Sequence, residues 1–130
     1  MASIFSKIAA GEIPSYKIAE TENCFAFLDI NPLAEGHTLV IPKQEIDYIF
    51  DVNEPIYSEL FSFSKKIAAA LKQTFQCERV CMAVLGFDVH HAHIHLVPLN
   101  HAADLNFSKE KIQLAPERFE EIARKIKANL

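Results

Sequence analysis

An α+β fold, built on a mostly antiparallel five-stranded sheet packed with one long helix and shorter terminal helices, is predicted by three observations. Five short apolar or alternating segments have strand character. Two pairs of them are joined by connections too short for a parallel crossover, and one long segment repeats its apolar residues at intervals of three and four. With 130 residues, half of them apolar, and 13 basic against 17 acidic side chains, the chain carries a formal net charge of −4. A chain of this length buries roughly 68% of its unfolded surface, so one domain spanning residues 1–130 folds without disulfides or a structural metal. The apolar content excludes disorder, and the acidic balance argues against tracking a nucleic-acid backbone, which needs clustered Lys and Arg. A single nucleotide is compatible with it.

The elements follow in order. Ser3 caps a short helix carrying Ile4, Phe5 and Ile8 on one side, and Gly11 with Pro14 stops it. Tyr16 to Glu20 and Cys24 to Asp29 read as a hairpin around Thr21-Glu22-Asn23, the second strand setting Phe25, Phe27 and Asp29 against Cys24, Ala26 and Leu28. Asn31-Pro32 breaks the chain, and the β-branched run from His37 to Ile41 forms a third strand closed by Pro42. Asn53 is positioned to cap the long helix, with Pro55 in its first turn. Ile56, Leu60, Phe63, Ile67, Leu71 and Phe75 form its buried face, and Lys65, Lys66 and Lys72 face water. Arg79 to Leu85 and His91 to Val97 read as an antiparallel hairpin across five residues, with Pro98 ending the second strand. A last helix from about Ala115 places Pro116, Glu117, Glu120 and Glu121 early and Arg124, Lys125 and Lys127 late, as the macrodipole favours, over a stripe of Phe119, Ile122 and Ile126.

The start of the chain has no apolar core long enough for a signal peptide, and no apolar run approaches bilayer-spanning length. The expectation is a cytoplasmic protein with no membrane partner and no nucleic-acid partner. Cys24, Cys77 and Cys81 form an odd set without a CxxC pair, consistent with free, mostly buried thiols in a reducing compartment.

The chemistry concentrates in His91-Ala92-His93-Ile94-His95-Leu96-Val97. Alternation in a strand sends His91, His93 and His95 to one face, with neighbouring rings about 7 Å apart at their roots, close enough to surround one tetrahedral anion or one metal ion. Each imidazole needs partners for two nitrogens when buried, so such a row is costly in a core. Three readings stand at this point: histidines without a joint role, a metal site to which His37 adds a ligand, and phosphoryl chemistry in which one imidazole attacks phosphorus while neighbours bind its oxygens. No GxxxxGKS loop is present, so a P-loop nucleoside-triphosphatase is not indicated. His90, His101 and Lys43 read as solvated or supporting residues.

This segment resembles the signature of the histidine-triad (HIT) superfamily, and so, in the same order as in that family, do Ile4-Phe5-Ser6-Lys7-Ile8, Gly11-Glu12-Ile13-Pro14, Phe25-Ala26-Phe27-Leu28-Asp29-Ile30 and Gly36 to Lys43. The resemblance runs from Ile4 to Pro98 and is closest to the Hint-like branch; residues after Leu99 match nothing usable. It implies a HIT-like fold, a homodimer, no cofactor, and a hydrolase or transferase acting on purine nucleoside phosphoramidates or related nucleotidyl phosphoanhydrides. It implies His93 as the nucleophile, one ring nitrogen attacking while the other donates its hydrogen to a backbone carbonyl, that of His91, with His95 on the phosphate and leaving group, and His91 and His37 completing the polar lining. It further places Asp29 on the ribose hydroxyls and Ile4, Phe5, Ile8, Ile13, Phe27, Leu28 and Ile30 around the base, with Gly86 and Asp88 at the phosphate end.

Two departures from the family pattern matter. Gly86-Phe87-Asp88-Val89 replaces a neutral amide and a small residue, so Asp88 must turn away, pair with His90 or another cation, or weaken phosphate binding. Many bacterial relatives hold a structural zinc through cysteines at the positions of Ser3 and Ser6 and a histidine at that of Glu45; hydroxyls are poor zinc ligands, so no metal is expected here.

Overall fold

The computed structural model describes residues 2–130. Its strands are β1 (Lys17–Glu20), β2 (Cys24–Leu28), β3 (Thr38–Pro42), β4 (Arg79–Ala83) and β5 (Ile94–Leu99). Its helices are α1 (Ile4–Ala9), α2 (Ile56–Thr74) and α3 (Pro116–Ala128). The strands form one sheet in the order β1-β2-β3-β5-β4, with every neighbouring pair antiparallel.

Period-two alternation divides the sheet residues cleanly between two cores. Cys24, Ala26 and Leu28 of β2, Val40 of β3, and Ala92, Ile94 and Leu96 pack beneath Leu60, Phe63, Ile67 and Leu71 of α2 and Phe119, Ile122 and Ile126 of α3. On the opposite face Phe25, Phe27, Leu39 and Ile41 meet Phe5 and Ile8 of α1. The central strands are therefore buried on both sides, and the side chains facing α1 rather than α2 are those that meet the cavity described below. Ser3 caps α1 by accepting the Ser6 N–H (3.0 Å), and Gly11, at φ +81°, ends the helix in a conformation that L side chains disfavour. Tyr16 stacks on Phe119 (ring centroids 4.8 Å apart), seating α3 against the start of β1.

Several sequence expectations are corrected. β5 begins at Ile94, not His91: the ladder to β3 stops at Val40 opposite Ile94, and before it the Ala92 N–H goes to the Ile46 carbonyl (2.7 Å) instead of a strand. Pro98 lies inside β5, opposite Val80, where β3 no longer pairs, so its missing N–H leaves no ladder bond unmade. The β4–β5 connection is correspondingly wider than five residues, since the ladder closes at Ala83 opposite His95. α2 starts at Ile56 behind Pro55 rather than at an Asn53 cap, and Glu54 satisfies the first turn by accepting the Ser58 N–H (2.9 Å) and hydroxyl (2.7 Å). Of the thiols only Cys24 is buried; Cys77 and Cys81 are half-buried. Lys43 pairs with Glu20 (2.6 Å) rather than standing free. No helix among the described residues is long and apolar enough to cross a membrane.

Candidate functional site

The local chain fixes the protonation pattern of four histidines. His93 Nδ1 lies 2.7 Å from the His91 carbonyl, so it carries the proton and donates it, leaving the Nε2 lone pair free. His91 Nε2–H donates to the Pro42 carbonyl (2.8 Å), and its Nδ1 accepts the Ser3 hydroxyl (2.7 Å). His37 Nδ1 accepts the Leu33 N–H (3.0 Å), so in the neutral ring the proton sits on Nε2. That nitrogen is 2.9 Å from His95 Nδ1, which must accept, and the remaining proton of His95 falls on Nε2. A backbone amide thus dictates, through two rings, that His95 is a hydrogen-bond donor.

Electrostatics keep these rings neutral. Burial lowers the affinity of all four for a proton, His37 to about 4 and His95 to about 3, with neighbouring cations and imidazoles adding to the effect. For His93 burial is partly opposed by the hydrogen bond to the His91 carbonyl. Asp29 moves the other way, raised by burial, while its Oδ1 accepts the Asn31 N–H (2.8 Å). Phe5 stands edge-on to His93 (5.0 Å between centroids) and His91 (6.0 Å), wedging the row in place.

A cavity of about 450 Å³ opens on this row. Its wall includes His93, His95, Asp29, Ile30, Phe27, Leu28, Ile4, Phe5, Ile8, Ile13, Gly86 and Asp88, which are the expected nucleotide-contacting residues together with two of the four histidines. His91 and His37 are not in the wall; they lie fully buried behind their neighbours, correcting the expectation that they line the site. Asp88 is exposed, and it does not pair with His90, whose nearest carboxylate is Asp47 (3.4 Å). Sequence reasoning missed Phe107 and Lys111 in the wall. The only trace of them in the letters is an aromatic residue stranded in a polar stretch.

Two corners bear on metals. Asp29, His37 and His95 offer ligand atoms within 4.8 Å of one another. A cation there would need the His37 Nε2 lone pair while Nδ1 already accepts the Leu33 N–H, and a neutral imidazole cannot do both, so the donor set does not fit a metal in this arrangement. At Ser3, Ser6, Glu45 and His91 a closed hydrogen-bond network occupies the corner: the Ser6 hydroxyl donates to Glu45 (2.7 Å) and the Ser3 N–H reaches the same oxygen. Those two donors, the backbone one foremost, hold the Glu45 carboxyl down to about 2. Hydroxyls already committed to hydrogen bonds are not a thiolate-type zinc set.

A free imidazole nitrogen beside a fixed N–H donor, on the wall of an apolar slot that ends in a carboxylate, is equipped to attack an electrophilic centre on a small, partly apolar ligand and to stabilise the charge that develops. The profile of the HIT domain family matches residues 10–102, and the chain belongs to that family. It is 35% identical over 135 residues to an uncharacterized HIT-like protein of Borreliella burgdorferi, covering 98% of this chain and 97% of the other. It is 39% identical over 98 residues to the adenosine 5'-monophosphoramidase HNT1 of Saccharomyces cerevisiae, across 75% of this chain and 62% of that protein. Among solved structures, a Hit-like protein from Bartonella henselae superposes with a TM-score of 0.87 at 33% identity, over 98% of this chain and 96% of the other.

Proposed function

We propose that this protein hydrolyses purine nucleoside phosphoramidates or related nucleotidyl phosphoanhydrides through a covalent nucleotidyl-His93 intermediate. The observation that carries the reading is the proton pattern: His93 presents an unprotonated Nε2 beside the Nε2–H of His95, with ring centroids 4.9 Å apart. In the first step Nε2 of His93 bonds to the α-phosphorus as the bond to the leaving group breaks, while Nδ1–H and the His91 carbonyl stabilise the positive charge growing on the ring. His95 Nε2–H hydrogen-bonds the phosphoryl group and gives its proton to the departing amine. Water then attacks phosphorus, returns a proton to His95, and the phosphorus–nitrogen bond to His93 breaks, so that across both steps one water is consumed, its oxygen ending on phosphorus and one hydrogen, by way of His95, on the departed amine. Asp29 accepts the two ribose hydroxyls, and Phe5, Ile8, Phe27 and the exposed Ile30 hold the base by stacking and desolvation. The yeast relative's name supports the substrate class.

The test is turnover of a fluorogenic adenosine phosphoramidate, with and without chelator. Wild type turns it over in both conditions, and a mass spectrum of trapped enzyme shows acid-labile nucleotidylation on the peptide containing His93. His93→Asn retains AMP binding and loses turnover; a variant that still hydrolyses would overturn the assignment. An exposed Asp88 on the wall favours a second reading, a nucleotide-binding protein with weak turnover, which wins if wild type binds AMP and hydrolyses nothing.

The proposal includes a cytoplasmic homodimer. β4 is an edge strand, and Met82, Val84, Leu85 and Phe87 expose apolar surface along and just beyond it. A monomer in sedimentation equilibrium at micromolar concentration would remove the dimer from the proposal.

A further inference from the structure

The chemistry above makes no use of the segment between β5 and α3, yet that segment is built into the site. Leu105 and Phe107 pack against Leu33, Val97 and Leu99. The Ile112 N–H donates to the Pro32 carbonyl (3.0 Å), fastening the segment to the loop that follows Asp29, and Lys109 pairs with Asp104 (3.0 Å) across the intervening turn. Phe107 stands edge-on to His95 (4.7 Å between centroids) and to His37 (6.3 Å), so the same docking that covers the rings carries Lys111 into the cavity wall.

Lys111 is held there by its own main chain. Its Nζ donates to the carbonyls of Phe107 (2.6 Å) and Lys109 (2.9 Å). An ammonium has three N–H donors, so one is left over, and neutral carbonyls orient the charge without cancelling it. None of the described ion pairs uses Lys111. Among the described residues it is the one lysine or arginine in a wall that also holds Asp29 and Asp88. A phosphoryl group entering a cavity whose wall carries two carboxylates is repelled unless a cation answers it, and neutral imidazoles do not supply that charge.

We propose that Lys111 is a binding residue for the phosphate of the nucleotide, giving its free N–H and its charge to a non-bridging phosphoryl oxygen. The proposal rests on the nucleotide reading of the cavity. It assigns to the segment after β5 a role in selecting phosphorylated over unphosphorylated nucleosides.

The experiment is calorimetric titration of the full chain with AMP and, separately, with adenosine, for wild type, Lys111→Met and Lys111→Arg, with circular dichroism confirming that each variant is folded. Removing a charge-assisted hydrogen bond should weaken AMP binding about ten- to a hundredfold in Lys111→Met while leaving adenosine affinity unchanged, and Lys111→Arg should restore most of the loss. Unchanged AMP affinity in Lys111→Met overturns the proposal. An equal loss for both ligands also overturns it, because Lys111 would then support Asp29 or the segment's docking rather than touch phosphate. If wild type binds neither ligand, the nucleotide reading itself fails, which is a different result from either of these.

Discussion

At the scale of single residues, the hydrogen bond from the Leu33 N–H to His37 Nδ1 determines what His95 can do. His37 touches no cavity surface and is therefore a positioning residue: it decides which nitrogen of its neighbour bears the proton. His37→Ala is expected to lower kcat by about ten- to a hundredfold, the scale of one lost donor to developing charge, with KM nearly unchanged. His37→Asn should recover part of kcat only if its amide reaches His95 Nδ1 as a donor. Steady-state kinetics on the phosphoramidate would check both, and a large KM effect with kcat intact would contradict the positioning role. The row of alternating histidines was legible in the letters as a period of two, although only His95 lies in β5 and His91 and His93 precede it. That only two of the rings meet the cavity was not, since burial of His91 behind Phe5 and of His37 behind His95 depends on contacts between residues far apart in sequence.

At the scale of elements, the end of α2 sets the start of β3. Gly36 sits at φ +91°, and a Cβ there would lie 2.4 Å from the ring of Phe75, the residue that closes α2. Gly36→Ala therefore combines an unfavourable backbone conformation with a clash. It should cost about 2 kcal/mol or more by thermal or chemical denaturation, and pairing it with Phe75→Ala should relieve the clash but not the backbone cost. An unchanged midpoint for the single variant would show that the chain at Glu35-Gly36 relaxes freely. Strand and helix positions came through from sequence where the spacing of residues marks the faces, by alternation in β2 and by intervals of three and four in α2. The errors fell where backbone partners are not strands: at His91–His93, held by Pro42 and Ile46, and at the head of α2, satisfied by Glu54 instead of Asn53. Such partners leave no periodicity to read, and neither does the segment carrying Phe107 and Lys111.

For the whole molecule, the buried neutral histidines make stability depend on acidity. His37 takes up a proton at about 4 in the folded chain and near 6.5 when unfolded, so between these values the unfolded chain binds more protons. Folding stability should therefore fall as pH drops from about 6.5 towards 4, by about 3 kcal/mol from this ring alone, with the loss complete below its folded value. Asp29, raised by burial, opposes the trend only in the carboxylate range. Denaturation midpoints across that window would check the slope, and His37→Asn should make it shallower by this ring's share, the other three histidines keeping theirs. Away from the site α3 holds the loop before His37 from the far side of the chain, as Arg118 donates to Glu35 (2.9 Å) and to Glu121 (2.5 Å). The proton shared by His37 and His95 lies between two buried rings, with Phe107 edge-on to both and the cavity on the outer side of His95. A deuteron placed there is lost to water when that hydrogen bond opens, so its rate of loss is a clock for how often the resting protein breathes beside its own cavity.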